Sequence, residues 1–159
     1  MEKYIAKTLI LLFAVAILCN ACNKTKKLKF STAMQPTIMK GAILEYEPEA
    51  YVKDKPQRFD IVVYYHPLFK GLTCHRVIGL PDEIIFVWQG IIINKRSIDF
   101  PDQMSFINYE TWKPECRISF PYKIPPDHYF VLADEPLAMH QDSRTIGAIH
   151  ITNIKGKVP

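Results

Sequence analysis

The stretch Phe30-Ser31-Thr32-Ala33-Met34-Gln35-Pro36-Thr37 is rich in hydroxyl groups, broken by one alanine, and stands where the chain changes character. Before it lies a basic run with Lys24, Lys26, Lys27 and Lys29; after it the pattern is almost wholly β-like. If the stretch is extended, Ser31 and Ala33 point to one face, ~6–7 Å apart along the strand, and Thr32 points to the other.

Downstream, Ala42-Ile43-Leu44-Glu45-Tyr46, Ile61-Val62-Val63-Tyr64-Tyr65, Cys74-His75-Arg76-Val77-Ile78, Ile84-Ile85-Phe86-Val87-Trp88, Ile91-Ile92-Ile93 and Tyr129-Phe130-Val131-Leu132 are short β-branched or aromatic runs. Bounded by Pro, Gly and Asp, they read as strands. Val87-Trp88-Gln89-Gly90-Ile91-Ile92 reads as a tight hairpin, with Gly90 supplying the positive φ such turns require. The 12 prolines leave little room for long helices. The pattern predicts an all-β, partly closed architecture of packed antiparallel sheets over residues 30–159. The least patterned part, residues 99–121 with Trp112, Pro114 and Cys116, is expected to be a surface excursion.

The 159 residues suffice for one domain with a core, and 48% hydrophobic against 23% charged residues argues against disorder. Much of the net charge of +4 sits in residues 22–29, which read as a basic tether beside a membrane surface. A nucleic-acid stripe would need basic residues spread over the domain, so no nucleic-acid partner is expected.

Upstream, Lys3 and Lys7 precede the apolar run Leu9-Ile10-Leu11-Leu12-Phe13-Ala14-Val15-Ala16-Ile17-Leu18. Spanning a bilayer takes ~20 apolar residues, whereas a signal peptide core takes only roughly 7–15. The run therefore favours an export signal over residues 1–21. Ala21-Cys22 is similar to the end of a lipobox, with Cys22 as the lipidated residue, although Cys19 and Asn20 depart from that pattern. The alternative is an uncleaved signal anchor. Either way the domain is tethered to a membrane on its non-cytoplasmic face, periplasmic or extracellular. Of the other cysteines, Cys74 and Cys116 pair if oxidised and close, or Cys74 is a small buried hydrophobe, the reading favoured here.

Three segments in order resemble the type I signal peptidase family from about residue 30 to 158: Ser31-Thr32-Ala33-Met34-Gln35-Pro36-Thr37-Ile38 with Gly41; His75-Arg76-Val77-Ile78-Gly79-Leu80-Pro81-Asp82 after Phe59-Asp60-Ile61-Val62-Val63; and Ile124-Pro125-Pro126-Asp127-His128-Tyr129-Phe130-Val131-Leu132-Ala133-Asp134, leading to Asp142-Ser143-Arg144 and Gly147. Lys155-Gly156-Lys157 closes the domain as the family's C-terminal Gly-Lys does.

The resemblance implies the signal peptidase fold and, in typical members, a Ser-Lys dyad. In such a dyad a buried lysine with a lowered pKa takes the serine's proton. The serine directly precedes Met in Met-x-Pro-Thr, which makes Ala33 the nucleophile position, and a methyl group cannot attack a carbonyl. The base directly precedes Arg-Val-Ile-Gly, which makes His75 the base position; the eukaryotic and archaeal branch uses His there. The third segment departs too. Ala133-Asp134-Glu135-Pro136 replaces Gly-Asp-Asn-Arg, the spacing from Asp134 to Asp142 is one residue longer, and His140 holds the place of a serine that contacts the base. Asp142, Ser143 and Arg144 persist and are expected to brace the loops near the base.

The expectation is a membrane-tethered relative that has lost catalysis and binds extended peptides or an active homologue. One alternative is an active peptidase rebuilt on Ser31, the oxyanion position, as nucleophile with His75 as base. Another is a metal site on His75, His140 and Asp142, weighed below a simple packing or hydrogen-bonding role for the two histidines. No cofactor is expected. His66, His128 and His150 are expected at the surface.

Overall fold

The computed structural model describes residues 25–29, 33–87, 90–104, 117–135 and 141–159. Cys22, Ser31, His140 and Cys116 lie outside the described residues, as do residues 1–21 with their apolar run. No helix among the described residues is long and apolar enough to cross a membrane.

The strands run β1 (Lys26–Lys29), β2 (Ile43–Tyr46), β3 (Ile61–His66), β4 (Gly71–Gly79), β5 (Ile84–Val87), β6 (Ile91–Ile93), β7 (Arg96–Ser97), β8 (Tyr122–Lys123), β9 (His128–Leu132), β10 (Ile149–His150) and β11 (Ile154–Val158). They form a five-stranded sheet in the order β10-β9-β4-β3-β11, a four-stranded sheet in the order β7-β6-β5-β8, and the β1-β2 pair. Every pairing is antiparallel, as the sequence predicts. The sheets are packed rather than closed on themselves. At the expected hairpin Val87 pairs with Ile91 and Gly90 takes a φ of 126°, while residues 88 and 89 lie outside the described residues.

Strands β3 and β4 are central and buried on both faces, which is why their sequences are nearly continuous apolar runs rather than alternating ones. The two-residue period sends Val62 and Tyr64 into a cluster with Val77, Tyr129, Val131 and Ile149. It sends Val63 and Cys74 the other way, against Met34, Ile38 and Tyr46. A third cluster, with Ile78, Ile85, Ile124 and Phe130, fills the space under the small sheet. Gly79 is needed there because a Cβ would collide with Ile124 and come within 3.0 Å of Phe130.

Several expectations need correction. The end of the basic stretch is strand β1, paired residue for residue with β2, and Leu28 packs on the Met34 cluster. Pairing with a neighbour made this strand, overriding its lysine-rich composition. The described ends of the 99–121 stretch lie largely at the surface, as expected, but are pinned to the fold from beneath. Met104 belongs to the small-sheet core, and Phe100, Ile118 and Phe120 pack against it; residues 105–116 lie outside the described residues. His66 is completely buried rather than exposed.

Candidate functional site

The site is organised by three consecutive buried residues of β4: Cys74, His75 and Arg76. Alternation sends His75 to the Val62–Tyr64 side of the sheet and its two neighbours to the other. In the β3–β4 register, Val62 is opposite His75 and Tyr64 is opposite Thr73. Tyr64 is therefore the diagonal same-face neighbour of His75. Its hydroxyl lies 2.8 Å from His75 Nδ1. Burial pushes the Tyr64 phenol well above its ordinary value, reinforced by the Asp142 carboxylate and by Cys74, so the phenol keeps its proton.

On the opposite face, Arg76 makes a bidentate pair with Asp134, Nε at 2.8 Å and an η nitrogen at 2.6 Å, while its other η nitrogen donates to Phe59 O at 2.9 Å. Asp134 also accepts from Thr37 Oγ1 at 2.5 Å. This buried clamp ties the loop after Ala33 to β4 and to the end of β9. Ala33 itself is 5% exposed, and its carbonyl accepts from Glu135 N–H at 3.2 Å. Met34, the next residue, shares a cluster with Cys74, the neighbour of His75. The loop after Ala33 thus packs on the strand residue next to His75, on the face opposite the imidazole.

A second buried cluster supports the same end. Asp142 caps the one-turn helix Ser143–Ile146 and accepts from Arg144 N, Arg144 Nε (2.7 Å), an Arg144 η nitrogen (2.6 Å) and Ala133 N–H (3.0 Å). Ser143 Oγ accepts from Val131 N–H at 2.9 Å. These bonds lash the helix to β9, next to Asp134.

His66 sits at the end of β3, where its Nδ1 accepts from Leu68 and Phe69 N–H groups. Its Nε2 then carries the proton and donates to Gln141 O at 2.7 Å, anchoring the chain just before Asp142. His128 and His150 are half-buried on β9 and β10, with their rings 4.8 Å apart. Cys74 is a free thiol, 1% exposed. Burial pushes it up, with Asp134 adding to that and Arg76 opposing it, so it behaves as a small hydrophobe. Among the described residues no group of His, Cys, Asp and Glu side chains is arranged to hold a metal ion; His140 lies outside them.

Sequence reasoning did not assign Tyr64, Thr37, Arg76 or Asp134 any part in the site. A usable signal was present in Arg76: an arginine inside an otherwise apolar central strand requires a buried acidic partner. Nothing comparable marks Tyr64, whose strand position fits ordinary packing.

The comparisons agree with this geometry. The family model "Signal peptidase, peptidase S26" matches residues 1–159, and the chain belongs to that family. It is 31% identical over 136 residues to signal peptidase I of Bacillus caldolyticus, covering 79% of this chain and 72% of that one. It is also 31% identical over 112 residues to the probable signal peptidase I-2 of a Synechocystis strain, covering 65% of this chain and 47% of that one. The crystal structure of a signal peptidase I from Enterococcus faecalis superposes with a TM-score of 0.53 at 26% identity, covering 67% of this chain and 98% of that one.

Proposed function

We propose that this protein is a signal peptidase relative that holds extended peptides, or an active homologue, without cutting them. The observation that carries the reading is Ala33, a buried methyl at the head of a loop that is clamped into the fold. Thr37, Asp134 and Arg76 still clamp that loop to β4, where His75 is buried with an ordered partner. Without a hydroxyl at position 33 there is no route to an acyl-enzyme through the family's chemistry. A peptide that adds as a strand gains affinity from backbone hydrogen bonds and specificity from pockets for alternate side chains, and neither needs a nucleophile. In this reading a lipid on Cys22, or an uncleaved signal anchor, holds the domain at the non-cytoplasmic face of a membrane.

The test is an Ala-x-Ala leader peptide offered to the purified full chain in detergent, with binding followed by fluorescence anisotropy and cleavage by mass spectrometry. The parent chain is expected to bind without turnover. The Ala33→Ser and Ala33→Ser/His75→Lys variants ask whether a nucleophile alone, or one with the family's lysine, brings cleavage back. Turnover by the parent, or an acyl-enzyme abolished by Ser31→Ala, overturns the proposal.

A further inference from the structure

The hydrogen bond between Tyr64 and His75 has a direction, and that direction bears on what His75 can do. Tyr64 is completely buried, and its phenol proton must find an acceptor or go unsatisfied. Among the described residues the hydroxyl's only hydrogen-bond partner is His75 Nδ1. The Asp142 carboxylate acts on the phenol electrostatically but makes no hydrogen bond to it. Its two oxygens already accept four N–H groups, from Ala133 and from the Arg144 backbone and guanidinium. That fills the acceptor capacity of a carboxylate. The proton therefore goes to Nδ1, and a neutral imidazole accepting at Nδ1 carries its own proton on Nε2.

We infer that Tyr64 is a positioning residue that locks His75 in the Nε2–H tautomer and so withholds the lone pair a nucleophile at position 33 would need. Nδ1 is occupied by the phenol, so Nε2 is the ring nitrogen left to take a proton, and in this tautomer it already holds one. The opposite tautomer would turn Nδ1–H toward the phenol oxygen and leave the phenol proton with no acceptor in a buried site. The site would then be disarmed twice, at Ala33 and at the base. This inference rests on the reading of His75 as the base position in the proposed function.

Two measurements separate the lock from that reading. Two-bond proton–nitrogen correlation spectra of the full chain in detergent report the tautomer of each imidazole, with His75→Gln identifying the signal. The wild-type chain is expected to show Nε2–H at His75, and Tyr64→Phe to redistribute the proton between the two nitrogens. Nδ1–H in the wild type, or an unchanged distribution in Tyr64→Phe, overturns the lock; the wild-type spectrum decides this even if the variant does not fold. The second measurement is leader-peptide cleavage by Ala33→Ser and Ala33→Ser/Tyr64→Phe. The double variant is expected to be faster by about tenfold or more, the scale of one buried hydrogen bond. Equal, measurable rates overturn the lock. Silence from both, with Nε2–H present in the wild type, supports the lock and counts against the peptide-site reading instead.

Discussion

Removing the Asp134 carboxylate tests the clamp that shapes this site. Asp134 is 1% exposed and Arg76 is 6% exposed, so neither charge is compensated by bulk water. In Asp134→Ala the guanidinium loses both bonds of its bidentate pair and keeps Phe59 O and a long contact of 3.4 Å to Thr37 Oγ1. Leaving one partner of such a pair buried and unmatched costs about 3–5 kcal/mol. For a domain of this size each kcal/mol lowers the melting temperature by about 2–4 °C, so the expected drop is roughly 6–20 °C. Replacing both partners removes the orphaned charge, and Asp134→Ala/Arg76→Met is expected to recover most of the loss. The exposed pair of Lys27 with Glu45, at 3.4 Å, serves as the control; Lys27→Ala should cost about 1 kcal/mol or less. Thermal and urea unfolding followed by circular dichroism supply the numbers. Hydrogen exchange should rise at Ile38 N–H, which bonds Met34 O within the clamped loop. If Asp134→Ala costs no more than the Lys27 control, or if the double variant is no better than the single one, the clamp argument is wrong.

Two further outcomes follow from other buried groups. Tyr64 and Cys74 are both pushed above their ordinary values of 10.0 and 9.0, chiefly by burial, and Tyr51 is raised by burial and by Asp60. The unfolded chain therefore releases these protons first, and their stabilising contribution is whole below about pH 9 and lost as pH rises beyond it. Urea midpoints at pH 8, 10 and 11 should fall in that order, and less steeply for Tyr64→Phe; a flat profile would contradict the burial argument. Ser143→Ala strips the buried Val131 N–H of its acceptor and should cost about 1–3 kcal/mol in urea unfolding, a loss that Ser143→Thr should partly avoid.

Much of the architecture is legible in the local pattern. The apolar runs at 61–65, 74–78, 84–87, 91–93 and 129–132 became strands because β-branched and aromatic side chains suit a pleated, buried surface. The turn at Gly90 was legible because few other residues tolerate its backbone angle. That position 33 carries a methyl and no hydroxyl needed no structure either, since the residue type alone settles it. Strand β1 was missed because three of its four residues are lysines, and its existence depends on β2 lying alongside. The two-residue strands β7, β8 and β10 were missed for a related reason: each is defined by its partner, not by its own composition. His66 was misplaced because a histidine before a proline looks like a loop residue. In the fold it stacks on Phe69 and its Nε2 reaches Gln141 O, 75 positions away in the chain.

The residues themselves thus specify the apolar central strands, the family and the methyl group at position 33, since each depends on side-chain type and a two-residue period. They do not reveal that Tyr64 meets His75 or that Arg76, Asp134 and Thr37 form one clamp. A period of two tells which face a side chain takes and nothing about who stands opposite. That depends on register between strands, which the folded core sets by burying Val62, Val63, Val77 and Val131 together in one arrangement.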